Sequence, residues 1–433
     1  MNNFLERLFH LREQKTTVRT ELMAGLATFT TMAYIIFVNP TILREAGMDF
    51  GAAMVATVIT TVVATLIMGL YANYPFAIAP GMGLNAYFAY VMVLGQGASW
   101  QQALGAVFVS GLLFALLNLC GIRQLIVAAL PRGLRIATAA GIGLFLAFIG
   151  LQSVGIIIAT PETFVTLGDV THSSSFLTLF GVIIITALML RRVPGAILIG
   201  CLLNWLISLC IGKAAWQGII SWPPSPLPLM GSLDIVGVLN TGFLAVILSL
   251  LFVSLIETSG SLIGLAEQGQ FLDKHGELPR SSRAFMSDAD GGMIGALIGT
   301  SPVTIYLESG AGIASGGRTG LTAVAVAGLF LVSLFFEPLA ASIPPFATAS
   351  TLIVIGALMM KPLAKIAWED PAELIPAFLI LITIPLTYSI FSGIALGFIT
   401  YPCIMLLAGR AKNVSWLAWA LAILFILKFI FLP

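Results

Sequence analysis

The sequence predicts an all-α polytopic membrane protein with about fourteen transmembrane segments. Of its 433 residues, 59% are hydrophobic and only 9% are charged, whereas a soluble protein is about 25% charged. So few charges cannot cover a water-soluble body of this size, which excludes a cytosolic enzyme. No charged residue occurs from Phe50 to Ile122. Because a helix needs about 20 apolar residues to cross a bilayer, this run holds roughly three spans.

Other apolar runs continue this pattern to the end of the chain. In lipid every backbone polar group must bond internally, so these runs are helices, and they lack the alternation of a β-barrel. The sequence leaves open whether a last apolar stretch, 413–432, also crosses the membrane. The predicted spans are 21–43, 51–72, 77–94, 101–121, 134–157, 175–190, 194–212, 237–266, 285–300, 302–314, 319–336, 346–361, 374–389 and 391–409.

Basic residues predict the orientation of the chain. The first twenty residues are polar and carry four cations, so they are not a signal peptide. Further cations recur on alternate connections, among them Arg123, Arg191 with Arg192, and Lys361. The positive-inside rule then predicts that the N-terminus lies in the cytoplasm. We expect the protein in the inner (plasma) membrane of the cell. This alternation requires that the short 302–314 segment count as a crossing unit.

Composition and motifs predict no cofactor, no metal site and no nucleic-acid partner. The net charge is only +1, and the four cysteines form no CxxC pair. The three histidines, His10, His172 and His275, are far apart in polar stretches. Enzyme motifs such as GxSxG, HExxH and the Walker loop are missing, so we expect no enzymatic activity.

Two short segments depart from the pattern of ordinary spans. They are Ala77–Tyr90 (AIAPGMGLNAYFAY) and Gly299–Ala314 (GTSPVTIYLESGAGIA). In each, a proline precedes a polar residue by five or six positions, Asn85 in the first and Glu308 in the second. Paired Gly/Pro-interrupted segments in two halves indicate a transporter site, because broken helices expose polar backbone at membrane depth. The alternative is that these residues only kink packed helices.

Two acids lie inside predicted spans. Glu257 and Glu308 have no basic residue in their own segments, and a charge at the centre of a span is a functional hypothesis by default. Burial without a countercharge favours the protonated carboxyl, so either acid could carry a proton. The alternative is that one of them lies near the interface and is solvated. For Asp288 and Asp290, in SDADGG, the sequence favours capping of a helix start.

Aromatic residues flank both broken segments. Tyr87, Phe88 and Tyr306 could stack on a flat ring, although membrane aromatics more often serve packing. The stretch Gly316–Val324 (GGRTGLTAV) indicates a tight turn and a helix start. Extended-leaning residues in SPVTIY predict a non-helical stretch before a half-helix.

Four stretches carry a family resemblance: GMGLNAYFAY, GTSPVTIYLESGAGIASGGRTGLTAV, TMAYIIFVNPTIL and IPPFATASTLIVIGALMM. They resemble the AzgA-like purine permeases, a branch of the nucleobase/ascorbate transporter group with the uracil-permease fold. The resemblance runs from about Leu5 to Leu432. It implies fourteen segments in a 7+7 inverted repeat, with broken third and tenth segments that each contain a strand and a half-helix.

The resemblance also implies a division into a core domain and a gate domain. A cytoplasmic segment (1–20) would precede the first core half (21–121) and the first gate half (122–212). The second core half (237–336) and the second gate half with the C-terminal tail (346–433) would follow.

The implied function is proton symport of a purine base, namely adenine, hypoxanthine or guanine. The acids of the eighth and tenth segments would hold the base and the proton, which here are Glu257 and Glu308. Family members commonly have Asp in the eighth segment, whereas this chain has LIETSGS. Asn85, Thr304, Phe88 and Tyr306 would assist binding.

Two rival functions remain at this point. An anion carrier on the same fold would hold its substrate badly beside two carboxylates. A channel should show repeated polar rings along a pore, whereas the sequence shows two isolated acids. The sequence leaves open a homodimer and the choice among purines.

Overall fold

The computed structural model describes residues 2–121, 131–240, 243–274 and 277–431. Arg123, His275 and the end of the 413–432 stretch lie outside these residues. Within them, nine helices have the length and apolar composition to cross a membrane, and shorter apolar helices lie between them.

Among its described residues, the first half of the chain contains a short N-terminal helix followed by eight further helices. Two of them widen into π-helical turns, α4 from Met68 to Ala72 and α5 from Tyr87 to Gly95. The helices are α1 (Asn2–Phe9), α2 (Val18–Met32), α3 (Ile35–Glu45), α4 (Phe50–Ile67), α5 (Met82–Ala86), α6 (Trp100–Leu119), α7 (Arg132–Ser153), α8 (Ser173–Leu190) and α9 (Ala196–Cys210).

The described part of the second half contains ten helices, with short 3₁₀ turns after three of them. These turns are Leu334–Phe336, Lys361–Lys365 and Ala411–Asn413. The helices are α10 (Ile235–Asn240), α11 (Leu244–Gly269), α12 (Ser281–Ile298), α13 (Ser309–Ala314), α14 (Gly320–Ser333), α15 (Glu337–Ala341), α16 (Pro345–Met359), α17 (Pro371–Thr387), α18 (Ile390–Leu407) and α19 (Trp416–Phe431).

The predicted spans agree with these helices to within a few residues, with four exceptions. The 77–94 and 302–314 spans begin as strands, and their helices start only at Met82 and Ser309. The 21–43 span is divided at Ala33–Tyr34 into α2 and α3. The 237–266 span divides into α10 and α11. Predicted boundaries elsewhere hold because long apolar runs must be helical in lipid.

The two broken segments meet in an antiparallel ribbon. Strand β1 (Ile78–Pro80) pairs with β4 (Val303–Ile305), and all six residues are buried. Two further backbone bonds extend the ribbon, from Gly81 N to Pro302 O (2.9 Å) and from Tyr306 N to Ala77 O (3.0 Å). The predicted extended stretch is therefore confirmed. Extended backbone survives at membrane depth here because each strand satisfies the other.

The helices pack in two groups. Around the ribbon, α2, α4, α6, α12 and α14 contact one another, while α7, α8, α9, α16, α17 and α18 form the second group. Two further helices belong to the ribbon side, α5, which follows β1, and α11, which contacts β4. The two groups meet mainly where α5 and α11 contact α7 of the second group. Each group contains helices from both halves of the chain, so neither half could pack in this way alone.

A hairpin outside the helices was not predicted. Strands β2 (Ile157–Thr160) and β3 (Phe164–Leu167) pair antiparallel between α7 and α8. The segment is too short and too polar to register as a span, so a search for apolar runs passes over it.

The capping prediction for Asp288 and Asp290 is wrong. Helix α12 begins at Ser281, so both residues lie in its interior. Asp288 is buried and accepts a hydrogen bond from the Thr258 hydroxyl at 2.6 Å. By contrast, the predicted turn before α14 is confirmed, since the Thr319 side chain caps that helix.

Candidate binding site

A cavity of about 760 Å³ lies between the two helix groups. One wall comes from α11 and from the chain between Thr304 and Ala314. The opposite wall comes from the α8–α9 connection and the end of α16. The volume falls in the range of about 300–1,000 Å³ that is usual for small-molecule sites.

Glu308 lies at the start of α13 and lines this cavity. The Tyr34 hydroxyl donates to its Oε1 at 2.6 Å, and the Thr31 hydroxyl donates to its backbone oxygen at 3.4 Å. Both donors lie around the break between α2 and α3. The break thus places a neutral donor, rather than a cation, against the carboxyl.

Glu257 lines the same cavity from α11. Its Oε2 is buried and has no hydrogen-bond partner among the described residues. Ser261 and Gln268 follow four and eleven positions later and also line the cavity, because these spacings repeat on one helix face. Gln268 Nε2 donates to Gly310 O at 2.9 Å, which joins α11 to α13.

The second strand of the ribbon supplies two more predicted residues. Thr304 lines the cavity, and its hydroxyl lies 3.4 Å from that of Thr258. Tyr306 also lines it and donates from its hydroxyl to Pro80 O at 2.6 Å. The rings of Tyr306 and Tyr34 lie 6.5 Å apart at 36°, so two tyrosines stand beside Glu308.

The other two predicted residues do not reach the cavity. Asn85 is fully buried on α5, and neither of its amide atoms has a partner among the described residues. Phe88 is fully buried in the core. From the first broken segment, Met82 lines the cavity instead. A substrate role for Asn85 and Phe88 stays a prediction.

Several lining residues were missed, although two kinds of signal pointed to them. Tyr34 is a polar aromatic within an apolar span, and it stands in the quoted stretch TMAYIIF. Ser261 and Gln268 share a helical face with Glu257, so period counting from the acid would have found them.

The two walls differ in chemistry. Acids, hydroxyls and an amide come from α11 and the second broken segment. The opposite wall is mainly aliphatic and adds two cations, Arg192 and Lys361. Within the part of the chain that the structure describes, no group of three His, Cys, Asp or Glu residues could hold a metal ion.

Broken segments that meet at the centre of a multi-pass helical protein, beside a cavity that carries carboxyls, define a secondary transporter architecture. The chain belongs to the Permease family designated Xan_ur_permease, whose family model matches residues 19–396. This membership puts it among transporters rather than enzymes.

Several relatives cover nearly the whole chain. A Methanocaldococcus jannaschii protein designated permease MJ0326 is 53% identical, over 99% of each chain. Adenine permease AdeP of Escherichia coli is 43% identical over 99% of this chain and 96% of its own. Guanine/hypoxanthine permease PbuG of Bacillus subtilis is 44% identical over 99% and 100%. Together with the nucleobase transporter PlAzg2 of Paenibacillus larvae, at 36%, they confirm the predicted AzgA-like resemblance.

Solved structures confirm the predicted fold. The transmembrane domain of the cyanobacterial bicarbonate transporter BicA aligns with a TM-score of 0.64 at 15% identity, covering 88% of this chain and 97% of that one. SLC26A9 aligns at 0.66 with 12% identity, over 94% and 69%. The likeness establishes the 7+7 inverted-repeat fold.

Proposed function

We propose that the protein imports purine nucleobases across the plasma membrane by proton symport. The observation that carries this proposal is that Glu257 and Glu308 line one cavity beside the ribbon of the two broken segments. AdeP is named an adenine permease and PbuG a guanine/hypoxanthine permease, which supports a purine base as the substrate class.

The site chemistry suits a flat, neutral ring with polar edges. A carboxylate oxygen pair can accept ring N–H groups, and the Thr304 and Ser261 hydroxyls can meet ring acceptors. Tyr306 and Tyr34 offer aromatic surface next to Glu308. A site of this kind rejects rings that leave its polar groups unpaired, which gives specificity at the ring edge.

The missing countercharge supports proton coupling. Neither acid forms an ion pair among the described residues, and an unpaired charge in a dry site costs several kcal/mol. A proton taken up together with the base would remove this cost while the site changes its exposure. Glu257, with its unpaired Oε2, is the preferred proton carrier, and Glu308 the preferred base ligand.

Alternating access would come from motion between the two helix groups. We assign 21–121 and 237–336 to the core, and 122–212 and 346–433 to the gate. Arg192 and Lys361 line the cavity, and the positive-inside rule places their connections in the cytoplasm. On this orientation the structure is inward-facing, with the N-terminus in the cytoplasm.

Uptake in cells that lack their own nucleobase permeases tests the proposal. Labelled adenine, hypoxanthine, guanine and uracil would be compared with and without a protonophore, for wild type, Glu257→Gln and Glu308→Gln. We expect saturable purine uptake that the protonophore and both substitutions abolish. Uptake of none of the four bases by a correctly inserted wild type would overturn the purine assignment. Uptake insensitive to the protonophore would overturn proton coupling alone.

A further inference from the structure

Two cations on the gate-side wall have no part in the proposed transport chemistry. Arg192 follows α8 and Lys361 follows α16, and both line the cavity. Helices α8 and α16 pack against each other, and the Thr178 hydroxyl near the start of α8 donates to Phe346 O near the start of α16 at 3.1 Å, so the two helices run in parallel. The two cations therefore lie at the same end of the cavity. Neither forms an ion pair with an acid among the described residues.

The connection that carries Arg192 comes close to the acidic wall. At Gly195 in this connection, a Cβ would lie 3.0 Å from the Thr30 carbonyl oxygen. The next residue, Thr31, donates to the Glu308 backbone. The cavity therefore presents acids and hydroxyls on its core-side wall and two cations on its gate-side wall, and the two walls approach each other at Gly195.

Aliphatic side chains accompany the two cations on the gate-side wall. Met189, Ile355 and Leu358 also line the cavity there. The full volume of about 760 Å³ fits a drug-sized ligand and exceeds the needs of a bare two-ring base. A matching ligand has N–H donors at one end and a dianion at the other.

We propose that Arg192 and Lys361 form a phosphate subsite, through which cytoplasmic purine nucleoside monophosphates occupy the inward-facing cavity and inhibit transport. Arginine and lysine are the usual phosphate-binding side chains. The base would take the place of the transported base, so the inference rests on the proposed function. The phosphate would keep the ligand on the cytoplasmic side, because a dianion loses far more solvation free energy than a neutral base on entering an apolar protein interior.

Competition binding on purified protein tests this subsite. The protein would be held in phosphatidylcholine nanodiscs, where both faces are accessible, and adenosine and AMP would compete with the labelled base that it binds. We expect AMP to bind at least about tenfold more tightly than adenosine, the effect of a charge-assisted contact. The readout is the dissociation constant of adenosine divided by that of AMP, determined within each variant. A change in the affinity for the base affects both constants equally and therefore leaves this ratio unchanged.

The double variant Arg192→Gln/Lys361→Gln should reduce this ratio to about one. The matched control, Arg191→Gln/Lys365→Gln, removes two exposed cations that do not line the cavity and should keep the wild-type ratio. A wild-type ratio near one, or a ratio that survives in the first double variant, would overturn the subsite. So would loss of the preference when phosphatidylglycerol is added, which would assign the two cations to lipid headgroups.

Direct binding of labelled AMP separates this inference from the proposed function. If no base binds but AMP binds through Arg192 and Lys361, the subsite stands and purine transport falls. If bases bind and AMP shows no dependence on the two cations, transport stands and the subsite falls.

Discussion

The two broken segments share one design but occupy different environments. The first, from β1 into α5, is buried, and only Met82 from its half-helix lines the cavity. The second, from β4 into α13, lines the cavity with Glu308 and most of its neighbours. The same strand–helix unit is thus packed shut in one half of the chain and exposed to the cavity in the other.

The ribbon register explains which residues correspond. Ile78 pairs with Ile305 and Pro80 with Val303, so the two-fold relation exchanges Ile78 with Val303. It therefore sets Gly83, rather than Asn85, against Glu308. At Gly83 a Cβ would overlap the Ile142 side chain of α7. One half carries an acid where the other carries no side chain at all, and this lets the gate group close against α5.

The largest expected effect comes from the acid of the exposed segment. Glu308→Gln should lower purine uptake by about 100-fold, because a charge-assisted hydrogen bond to the substrate contributes about 1.5–3 kcal/mol. Uptake of labelled base in cells measures this. Glu337→Gln, an acid at the start of α15 outside the cavity, is the control. Equal uptake by both variants would contradict a binding role for Glu308.

A large side chain at Gly83, where the packed segment lies closest to α7, should destabilise the protein. Gly83→Leu should destabilise the protein by about 1–3 kcal/mol through overpacking against Ile142, measured as a lower thermal unfolding temperature in detergent. Adding Ile142→Ala should restore part of the loss. Gly260→Ala, where a Cβ meets open space, is the control. No rescue by Ile142→Ala would mean that the contact does not limit stability.

The donor to Glu308 should have a moderate effect. Tyr34→Phe removes the hydroxyl that lies 2.6 Å from Glu308 Oε1. Loss of this hydrogen bond, worth about 1.5 kcal/mol, should raise the KM for the base roughly tenfold. Tyr306→Phe removes a donor to the Pro80 carbonyl instead and should affect unfolding temperature more than KM. The same KM change in both variants would argue against a specific role for Tyr34.

The smallest effect concerns the buried amide of the packed segment. Asn85→Leu should leave the unfolding temperature unchanged or slightly higher, because replacing an unpartnered buried amide removes a desolvation cost. Asn118→Leu should lower the unfolding temperature, because Asn118 donates to Ser282 O at 3.0 Å. Leaving that carbonyl without its donor should reduce the free energy of unfolding by about 1–3 kcal/mol. If Asn85→Leu also abolishes uptake, the amide acts in the opposite, outward-facing conformation. Normal uptake would remove Asn85 from the site.

Much of the fold could be predicted because long apolar runs leave the backbone few choices in lipid. The same reasoning found both broken segments and the two acids, since proline, glycine and charge are conspicuous there. Ser261 and Gln268 could have been found by counting helical turns from Glu257, whereas the contact of Tyr34 with Glu308 needed the three-dimensional packing that brings α2 and α11 against α13. The capping prediction for Asp288 was wrong because the sequence rule considers only neighbouring residues, whereas the helix had already begun seven residues earlier, at Ser281.

The short β1–β4 ribbon also constrains how the protein is made. β1 enters the membrane long before its partner strand is synthesised, with α5 to α12 between them. Extended backbone cannot remain unpaired in the hydrocarbon core, so the first half must wait in an immature form, shielded or only partly inserted. A ribosome that stalls before β4 therefore leaves a membrane intermediate with unpaired backbone, which quality-control proteases can recognise.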